Sequence, residues 1–128
     1  MIRVYLAGRS EDAGILRDIR DAIAAHGIAC TSSWLNVMDE DPRVGALTDL
    51  ADIGRADVFV LYNPKSVHRS GTGGRHFETG HAWTIRKPIL LIGEPEHVFH
   101  VGLEAATVPA DALATDLVAA IWDARAAA

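Results

Sequence analysis

Residues 56–62, ADVFVLY, and residues 71–83, GTGGRHFETGHAW, decide the fold of this chain. The first stretch is a short apolar run, which is typical of a buried strand. The second stretch contains four glycines, two histidines, one arginine and one glutamate, and it continues into a helical pattern. In α/β proteins, ligands bind at loops that lead from a strand to a helix. The 71–83 stretch is therefore the first candidate for a binding site.

Short apolar runs alternate with helical patterns along the whole chain. This order predicts a doubly wound parallel sheet of about five strands with helices on both faces, of the flavodoxin-like or Rossmann-like kind. With 128 residues and 49% hydrophobic content, the chain suits one domain over residues 1–128. The predicted strands cover residues 2–7, 28–35, 57–62, 87–93 and 105–108, and the later predicted helices cover residues 76–87 and 111–128.

Two earlier helices are predicted from their end signals. Ser10 is the expected cap of the first helix, and Gly27 stands where a helix end favours a left-handed residue. Pro42 suits the first turn of the second helix. The residues expected to face inward are Ile15, Ile19 and Ile23 in the first helix and Val44, Leu47, Leu50 and Ile53 in the second.

Composition limits the classes of partner. The formal net charge of −5 argues against a nucleic acid polymer or an anionic membrane surface as the partner and favours a small soluble molecule. Cys30 is the only cysteine, so an internal disulfide and multi-cysteine zinc sites are excluded. No signal peptide and no membrane-spanning run are recognised. We expect a cytoplasmic protein.

Two loops are expected at the carboxyl ends of neighbouring strands, where ligands bind in such sheets. They are Gly8-Arg9-Ser10 and residues 63–74. Neither contains the phosphate loop of nucleoside triphosphatases, and the dinucleotide pattern G-x-G-x-x-G fails at His76. Hydrolysis of nucleoside triphosphates and NAD-linked hydride transfer are therefore disfavoured.

Glu78 is the main candidate for chemistry. Gly73, Gly74 and Gly80 flank it and would let a substrate approach the backbone, so Glu78 can be a nucleophile. The alternative is that Glu78 only complements the dipole of its helix on the surface.

Other polar residues have equally ordinary alternatives. Asp49 and Asp52 lie three residues apart on one helix, where a solvated acidic face is the alternative. Trp34 can stack on a ligand or simply belong to the core. Lys65, His68, Arg69 and Arg75 form either an anion clamp or a hydrated loop.

The six histidines do not predict a metal site. His76 and His81 are five residues apart, which places them on different sides of a helix. His97 and His100 have no third ligand nearby in the sequence.

Three motifs together resemble the nucleoside 2-deoxyribosyltransferase family, including its 2′-deoxynucleoside 5′-phosphate N-hydrolase branch. They are YLAG at residues 5–8, DLADIGRADV at residues 49–58 and GGRHFETGHA at residues 73–82. With the KPILLIG strand that follows, the resemblance covers roughly residues 2–93.

This resemblance implies cleavage of an N-glycosidic bond through a covalent glycosyl intermediate. The nucleophile of the family falls on Glu78, its helix aspartate on Asp49 and its first-strand tyrosine on Tyr5. Tyr5 would orient Glu78, and Asp49 would protonate the departing base. No metal or cofactor is required.

The resemblance also implies a set of substrate-binding residues. At the position of Thr72 the nucleoside transferases have an aspartate and the 5′-phosphate hydrolases a serine. A neutral hydroxyl beside Arg75, Arg9 and Ser10 suits a phosphate, although the hydrolases have a serine at the position of Arg9. The expected substrate-binding residues are Gly8, Arg9, Ser10, Trp34, Asp52, Thr72, Gly74 and Arg75.

Three activities remain open from the sequence. The first is a deoxyribosyltransferase or N-glycosidase that acts on a 2′-deoxynucleoside or its 5′-monophosphate. The second is a strict hydrolase of the monophosphate, and the third is a nucleotide-binding sensor without chemistry. The resemblance further implies a homodimer or higher homo-oligomer in which a neighbouring subunit completes the pocket.

Overall fold

The computed structural model describes residues 1–37, 41–64, 73–96 and 98–128. In these ranges the chain forms a parallel sheet of five strands surrounded by helices. This confirms the predicted doubly wound fold class. The strands are β1 (Arg3–Ala7), β2 (Ala29–Cys30), β3 (Val58–Asn63), β4 (Ile89–Gly93) and β5 (Ala106–Val108). The helices are α1 (Ala13–Ala24), α2 (Pro42–Arg55), α3 (Gly74–Thr84), α4 (Val98–Leu103) and α5 (Ala114–Ala126).

Alternate side chains of each central strand pack on opposite faces of the sheet, as the two-residue period of a strand requires. In β1, Val4 and Leu6 join a core cluster with residues of α1 and α5. Tyr5 and Ala7 join a second cluster with residues of α2 and α3. Helices therefore cover both faces, and the central strands are buried on both sides.

The strand order β2-β1-β3-β4-β5 makes β1 and β3 neighbours. Val4 pairs with Val58 and Ala7 with Leu61, so the two strands end at the same edge. The chain then leaves β1 toward α1 on one face and β3 toward α3 on the other. Because the two connections diverge, a crevice opens between them.

The second strand is much shorter than its predicted range of residues 28–35. It ends at Cys30, and Ser33–Asn36 form a 3₁₀ turn. The Ser32 hydroxyl accepts a hydrogen bond from the Leu6 backbone N–H at 2.6 Å and donates one to the Leu6 carbonyl at 3.0 Å. These side-chain bonds replace the backbone ladder that would continue the strand.

The predicted inward faces of the first two helices are partly wrong. In α1, Leu16 and Ile23 are buried while Ile15 is 47% exposed. In α2, Ile53 is buried, but Val44 and Leu47 are 52% and 70% exposed. Only the C-terminal half of α2 reaches the core, and a sequence period does not reveal where along a helix that contact begins.

Helix ends agree better with the sequence signals. Gly27 has φ +79°, in the left-handed region predicted for it, and Pro42 is the first residue of α2. Ser10 does not cap α1, because Ser10–Asp12 form a 3₁₀ turn and α1 starts at Ala13. The six-residue helix α4 lies between the predicted strands 87–93 and 105–108, where the sequence predicts no regular element. Within the described ranges, no helix is long and apolar enough to cross a membrane.

Gly93 ends β4 with φ +110°, and a Cβ atom there would lie 2.0 Å from the carbonyl oxygen of Asn63. The two residues are register partners, and the Glu94 N–H donates to that same carbonyl at 2.9 Å. Only glycine permits this close crossing of two backbones. It directs the residues after β4 across the end of β3.

We predict that Gly93→Ala lowers the free energy of unfolding by at least about 2 kcal/mol, because it combines a strained φ with a backbone clash. Gly54→Ala is the control. Gly54 lies in α2, and a Cβ atom added there would have nothing within 4 Å, so alanine should be neutral or stabilise by about 0.5–1 kcal/mol. Urea unfolding of both variants measures the difference, and equal stabilities would contradict the assigned constraint.

Candidate active site

A cleft of about 410 Å³ lies at the carboxyl edge of the sheet, in the crevice between the ends of β1 and β3. Its walls are formed by the loop after β1, the 3₁₀ turn after β2, α2 and the start of α3. The described residues that line it are Gly8, Arg9, Ser10, Glu11, Trp34, Asp49, Gly73, Gly74, Arg75 and Glu78.

Tyr5 and Glu78 form the central contact of the cleft. Tyr5 lies fully buried in β1 and stacks on Phe59 of β3, with ring centroids 5.6 Å apart and planes within 13°. Its hydroxyl donates a short hydrogen bond to Oε2 of Glu78. Gly73, with φ +78°, turns the chain into α3 and so brings Glu78 to this position. The sequence-predicted pair is therefore in direct contact.

Burial raises the pKa of Glu78 to about 7. The hydrogen bond from Tyr5 opposes this rise because it favours the charged carboxylate, whereas the charge of Asp49 adds to it. The same burial, together with the charge of Glu78, raises the pKa of Tyr5 far above its ordinary value, so its hydroxyl keeps its proton. Glu78 can thus change its ionisation near neutral pH while Tyr5 remains a donor.

Asp49 and Asp52, which the sequence spacing does not separate, have different positions. Asp49 lines the cleft and acts through its charge on both Glu78 and Tyr5. Asp52 is fully buried and is not among the lining residues. It accepts from the backbone N–H of Ser33 at 3.0 Å and from the Ser33 hydroxyl at 2.5 Å, and it pairs with Arg55. In the structure Asp49 therefore lies at the site, whereas Asp52 stabilises the 3₁₀ turn through its hydrogen bonds to Ser33.

That turn holds Trp34 at the wall of the cleft. The indole Nε1–H donates to the carbonyl of Leu6 at 2.9 Å, which fixes the ring against β1. Trp34 also packs against the core clusters on both sides of the sheet. The ring therefore supports the core and also lines the cleft, and its stacking on a ligand stays a prediction.

Two arginines form the cationic end of the cleft. Arg9, after β1, and Arg75, in the first turn of α3, bring their guanidinium groups to one carboxylate, that of Glu96. The Glu96 side chain also lies 2.8 Å from Nε2 of His76. Both arginine side chains are almost completely buried, with 5% and 7% exposure. The predicted grouping of Arg9 and Arg75 is therefore present, with an acidic partner that the sequence does not predict.

Burial disfavours the charge on Glu96, but the cations outweigh this effect. The charges of Arg75, His76 and Arg9 hold the pKa of Glu96 below its ordinary value. Glu96 is therefore ionised at neutral pH and serves as the counter-ion of the cluster.

The remaining predicted binding residues either line the cleft or lie outside the described residues. Gly8, Ser10 and Gly74 line the cleft as expected. A Cβ on Gly8 would lie 2.8 Å from Cδ1 of Leu16, so the loop passes tightly over α1. Thr72 lies outside the described residues, as do Lys65, His68 and Arg69.

Sequence reasoning does not identify Glu11, which lines the cleft, or Glu96, which contacts the lining residues Arg9 and Arg75. Glu11 directly follows the Gly8-Arg9-Ser10 loop that the sequence singles out. Glu96 follows the KPILLIG strand, and the end of that strand lies at the same edge of a parallel sheet as the other loops. That placement is the signal that could have found both. In the part of the chain that the structure describes, no three His, Cys, Asp or Glu side chains form a candidate metal cluster.

No protein-family model and no curated protein sequence matches the chain. Solved structures do match. The 2-deoxyribosyltransferase of the psychrotolerant bacterium Bacillus psychrosaccharolyticus superposes with a TM-score of 0.73 at 18% identity, over 93% of this chain and 95% of that protein. The CMP N-glycosidase of Clostridium botulinum has a TM-score of 0.64 at 18% identity, over 93% and 97%.

A response regulator receiver protein from Sinorhizobium medicae also matches, with a TM-score of 0.62 at 16% identity over 98% of this chain and 95% of that one. At identities this low, the structural matches show a shared flavodoxin-like fold and nothing more specific. The fold is thus that of a 2-deoxyribosyltransferase and a CMP N-glycosidase, as the sequence resemblance predicts, and also that of a response regulator receiver protein. A choice among these functions depends on the site.

We predict that the carboxyl group of Glu78 titrates with a pKa of about 7 and that Tyr5→Phe raises this pKa by roughly one to two units. The variant removes a hydrogen bond to a charged acceptor, which is worth about 1.5–3 kcal/mol. Carbon-13 NMR of protein labelled at glutamate carboxyl carbons measures the titration. Tyr62→Phe, outside the cleft, is the control and should leave it unchanged. An ordinary pKa near 4.5 for Glu78 would contradict the assigned environment.

Proposed function

We propose that this chain is an enzyme that cleaves the N-glycosidic bond of a 2′-deoxynucleoside or its 5′-monophosphate through a glycosyl ester on Glu78. The observation that carries the proposal is the cleft carboxylate Glu78, which is partly buried, accepts a hydrogen bond from Tyr5 and is affected by the charge of Asp49. A carboxylate with restricted solvation and a fixed orientation is suited to attack an anomeric carbon.

The two carboxyl groups suit a double displacement. Because the charge of Asp49 opposes ionisation of Glu78, the two carboxyl groups can hold a single proton between them. The reactive form is the one in which Asp49 carries that proton and Glu78 is ionised. Ionised Glu78 attacks C1′, the C1′–N bond breaks, and its electron pair leaves with the base. Protonated Asp49 gives its proton to that base.

The second step regenerates the enzyme. Water, or the nitrogen of another base, attacks C1′, and the ester bond breaks so that its electron pair returns to Glu78. Asp49, now ionised, accepts the proton that the attacking group loses. Tyr5 keeps its hydrogen bond to Glu78 and holds the carboxylate in line. Two displacements at C1′ retain the configuration of the sugar.

The two ends of the cleft suit the two ends of a nucleotide. The Trp34 ring offers an aromatic surface for the base. Arg9 and Arg75, with the N-terminus of α3, offer guanidinium and helix-end donors for a phosphate. This arrangement favours the 5′-monophosphate over the free nucleoside. The structural neighbour named as a CMP N-glycosidase also acts, by its name, on a nucleotide.

Transfer and hydrolysis differ only in what resolves the ester, so one experiment separates them. A 2′-deoxynucleoside 5′-monophosphate is incubated with and without a second free base, and the products are separated by chromatography. An exchanged nucleotide identifies a transferase. Release of 2-deoxyribose 5-phosphate without exchange identifies the strict hydrolase.

We predict that Glu78→Gln lowers turnover about 1,000-fold or more, because an amide is not a nucleophile for C1′. Brief exposure of the wild type to substrate should add the mass of one glycosyl group at Glu78, and the variant should show no such adduct. Glu94→Gln, at an exposed glutamate after β4, is the matched control and should retain wild-type turnover.

The opposite outcomes would favour another nucleophile or a function without chemistry. Full activity in Glu78→Gln would refute the assigned nucleophile. If the wild type turns over no deoxynucleoside or deoxynucleotide, and both proteins bind a nucleotide equally, the chain is a sensor that uses the cleft without chemistry.

The proposal includes assembly into a homo-oligomer. Its basis is the family resemblance, and apolar surface beside the cleft supports it. A groove of about 560 Å³ lies between α3 and α4, and Phe77, Val98 and Phe99 on its walls are 63–73% exposed. His76 belongs both to this groove and to the contact with Glu96, so a second copy seated here would adjoin the cationic end of the cleft.

We predict that Val98→Glu reduces the molar mass in solution to that of the 13.7 kDa monomer, because a carboxylate in an apolar interface costs several kcal/mol. Size-exclusion chromatography with light scattering measures the mass. Ile15→Glu, at an exposed position on α1, is the control and should leave the oligomer intact. A monomeric wild type would contradict the proposed assembly.

A further inference from the structure

Glu96 contacts both arginines of the cationic end of the cleft, although it is not itself among the lining residues. Its Oε1 lies 3.4 Å from Nη2 of Arg9 and 3.4 Å from Nη2 of Arg75. Its Oε2 lies 3.0 Å from Nη2 of Arg75 and 2.8 Å from Nε2 of His76. Arg9 follows β1, Arg75 lies in the first turn of α3, and Glu96 follows β4. The cluster therefore forms only where these three connections meet.

The carboxylate does not satisfy the two arginines. Each guanidinium has five N–H donors, and in the described part of the chain the buried Nε atoms of Arg9 and Arg75 have no hydrogen-bond partner. Charge-assisted N–H···O bonds are usually about 2.7–2.9 Å long, so the two contacts of 3.4 Å are loose. Buried donors that lack an acceptor are costly, so these two Nε–H groups leave the site incompletely satisfied.

A phosphate monoester fits this unsatisfied site better than a carboxylate does. It presents three terminal oxygens instead of two, and it carries up to two negative charges at neutral pH instead of one. The Glu96 side chain is 22% exposed, so it borders on solvent, whereas the guanidinium groups are enclosed. An entering phosphate can therefore replace the carboxylate without moving the arginines.

We propose that Glu96 is an intramolecular counter-ion that fills the phosphate site while the cleft is empty and gives way to the 5′-phosphate of the substrate. The inference rests on the proposed function in taking a phosphate monoester as the ligand of this end of the cleft. Glu96 then acts on specificity. A ligand that lacks a phosphate cannot displace it, and a phosphate must compete with it.

Isothermal titration calorimetry tests the competition directly. The ligands are inorganic phosphate, 2-deoxyribose 5-phosphate and, without the anion, 2-deoxyribose. The proteins are the wild type, Glu96→Gln and the matched control Glu94→Gln. We expect the Kd of both phosphate ligands to fall about tenfold in Glu96→Gln, since the internal competitor is gone. The affinity of 2-deoxyribose should not change, and Glu94→Gln should behave as the wild type.

A readout on the wild type covers the case in which Glu96→Gln folds poorly. Nitrogen-15 spectra should show the Nε–H signals of Arg9 and Arg75 shift when inorganic phosphate is added, because phosphate supplies the acceptors that these groups lack. Glu96→Gln should also melt several degrees below the wild type without phosphate and recover most of that loss with it.

The outcomes separate this inference from the proposed function. Unchanged or weaker phosphate binding in Glu96→Gln overturns the counter-ion role, even if the wild type cleaves nucleotides, because a group that merely braces the arginines would weaken binding when lost. The counter-ion role is also overturned if the Nε–H signals of Arg9 and Arg75 in the wild type do not shift when phosphate is added. Tighter phosphate binding in Glu96→Gln without any cleavage by the wild type retains the counter-ion and refutes the enzyme.

Discussion

The parallel pairing of β1 with β3 in the middle of the sheet is the constraint on which the site depends. It ends two buried strands side by side, while their connections leave toward opposite faces. Tyr5 projects from β1, and α3, which follows β3, carries Glu78 to its hydroxyl. The hydrogen bond at the centre of the cleft therefore joins the two halves of the doubly wound fold. A different strand order would separate these residues, although the local sequence would be unchanged.

The cleft also concentrates polar groups that are costly to bury. Glu78 is held with a pKa of about 7, and Arg9 and Arg75 lie enclosed around one carboxylate. Stable folds rarely retain such groups for packing alone, since apolar residues of similar size stabilise as well or better. Their grouping at the one edge where parallel α/β sheets bind ligands is a physical argument for a site. Structural neighbours with the same fold include a 2-deoxyribosyltransferase, an N-glycosidase and a receiver protein, so the side chains, and not the fold, indicate the site.

Individual residues show why position along a helix is insufficient. Asp49 and Asp52 both lie near the apolar side of α2, and the sequence assigned both to the site. In the structure Asp49 lines the cleft, whereas Asp52 is enclosed by Ser33 and Arg55 and stabilises the turn that carries Trp34. The difference arises from the 3₁₀ turn that replaces the end of the predicted second strand. That turn depends on hydrogen bonds between Ser32 and Leu6, which are far apart in the sequence.

The sequence by itself determined the alternation of strands and helices, the sheet class, the helix ends at Gly27 and Pro42, and the position of Glu78 in the helix that follows the third strand. These features follow from short-range rules: the period of apolar residues, the φ that glycine and proline permit, and the order of elements along the chain. Only the tertiary structure decided that β2 stops at Cys30, that Val44 and Leu47 remain exposed, and that Glu96 joins Arg9 and Arg75. The partner of a buried charge is set by which strand ends converge, and no local pattern contains that information.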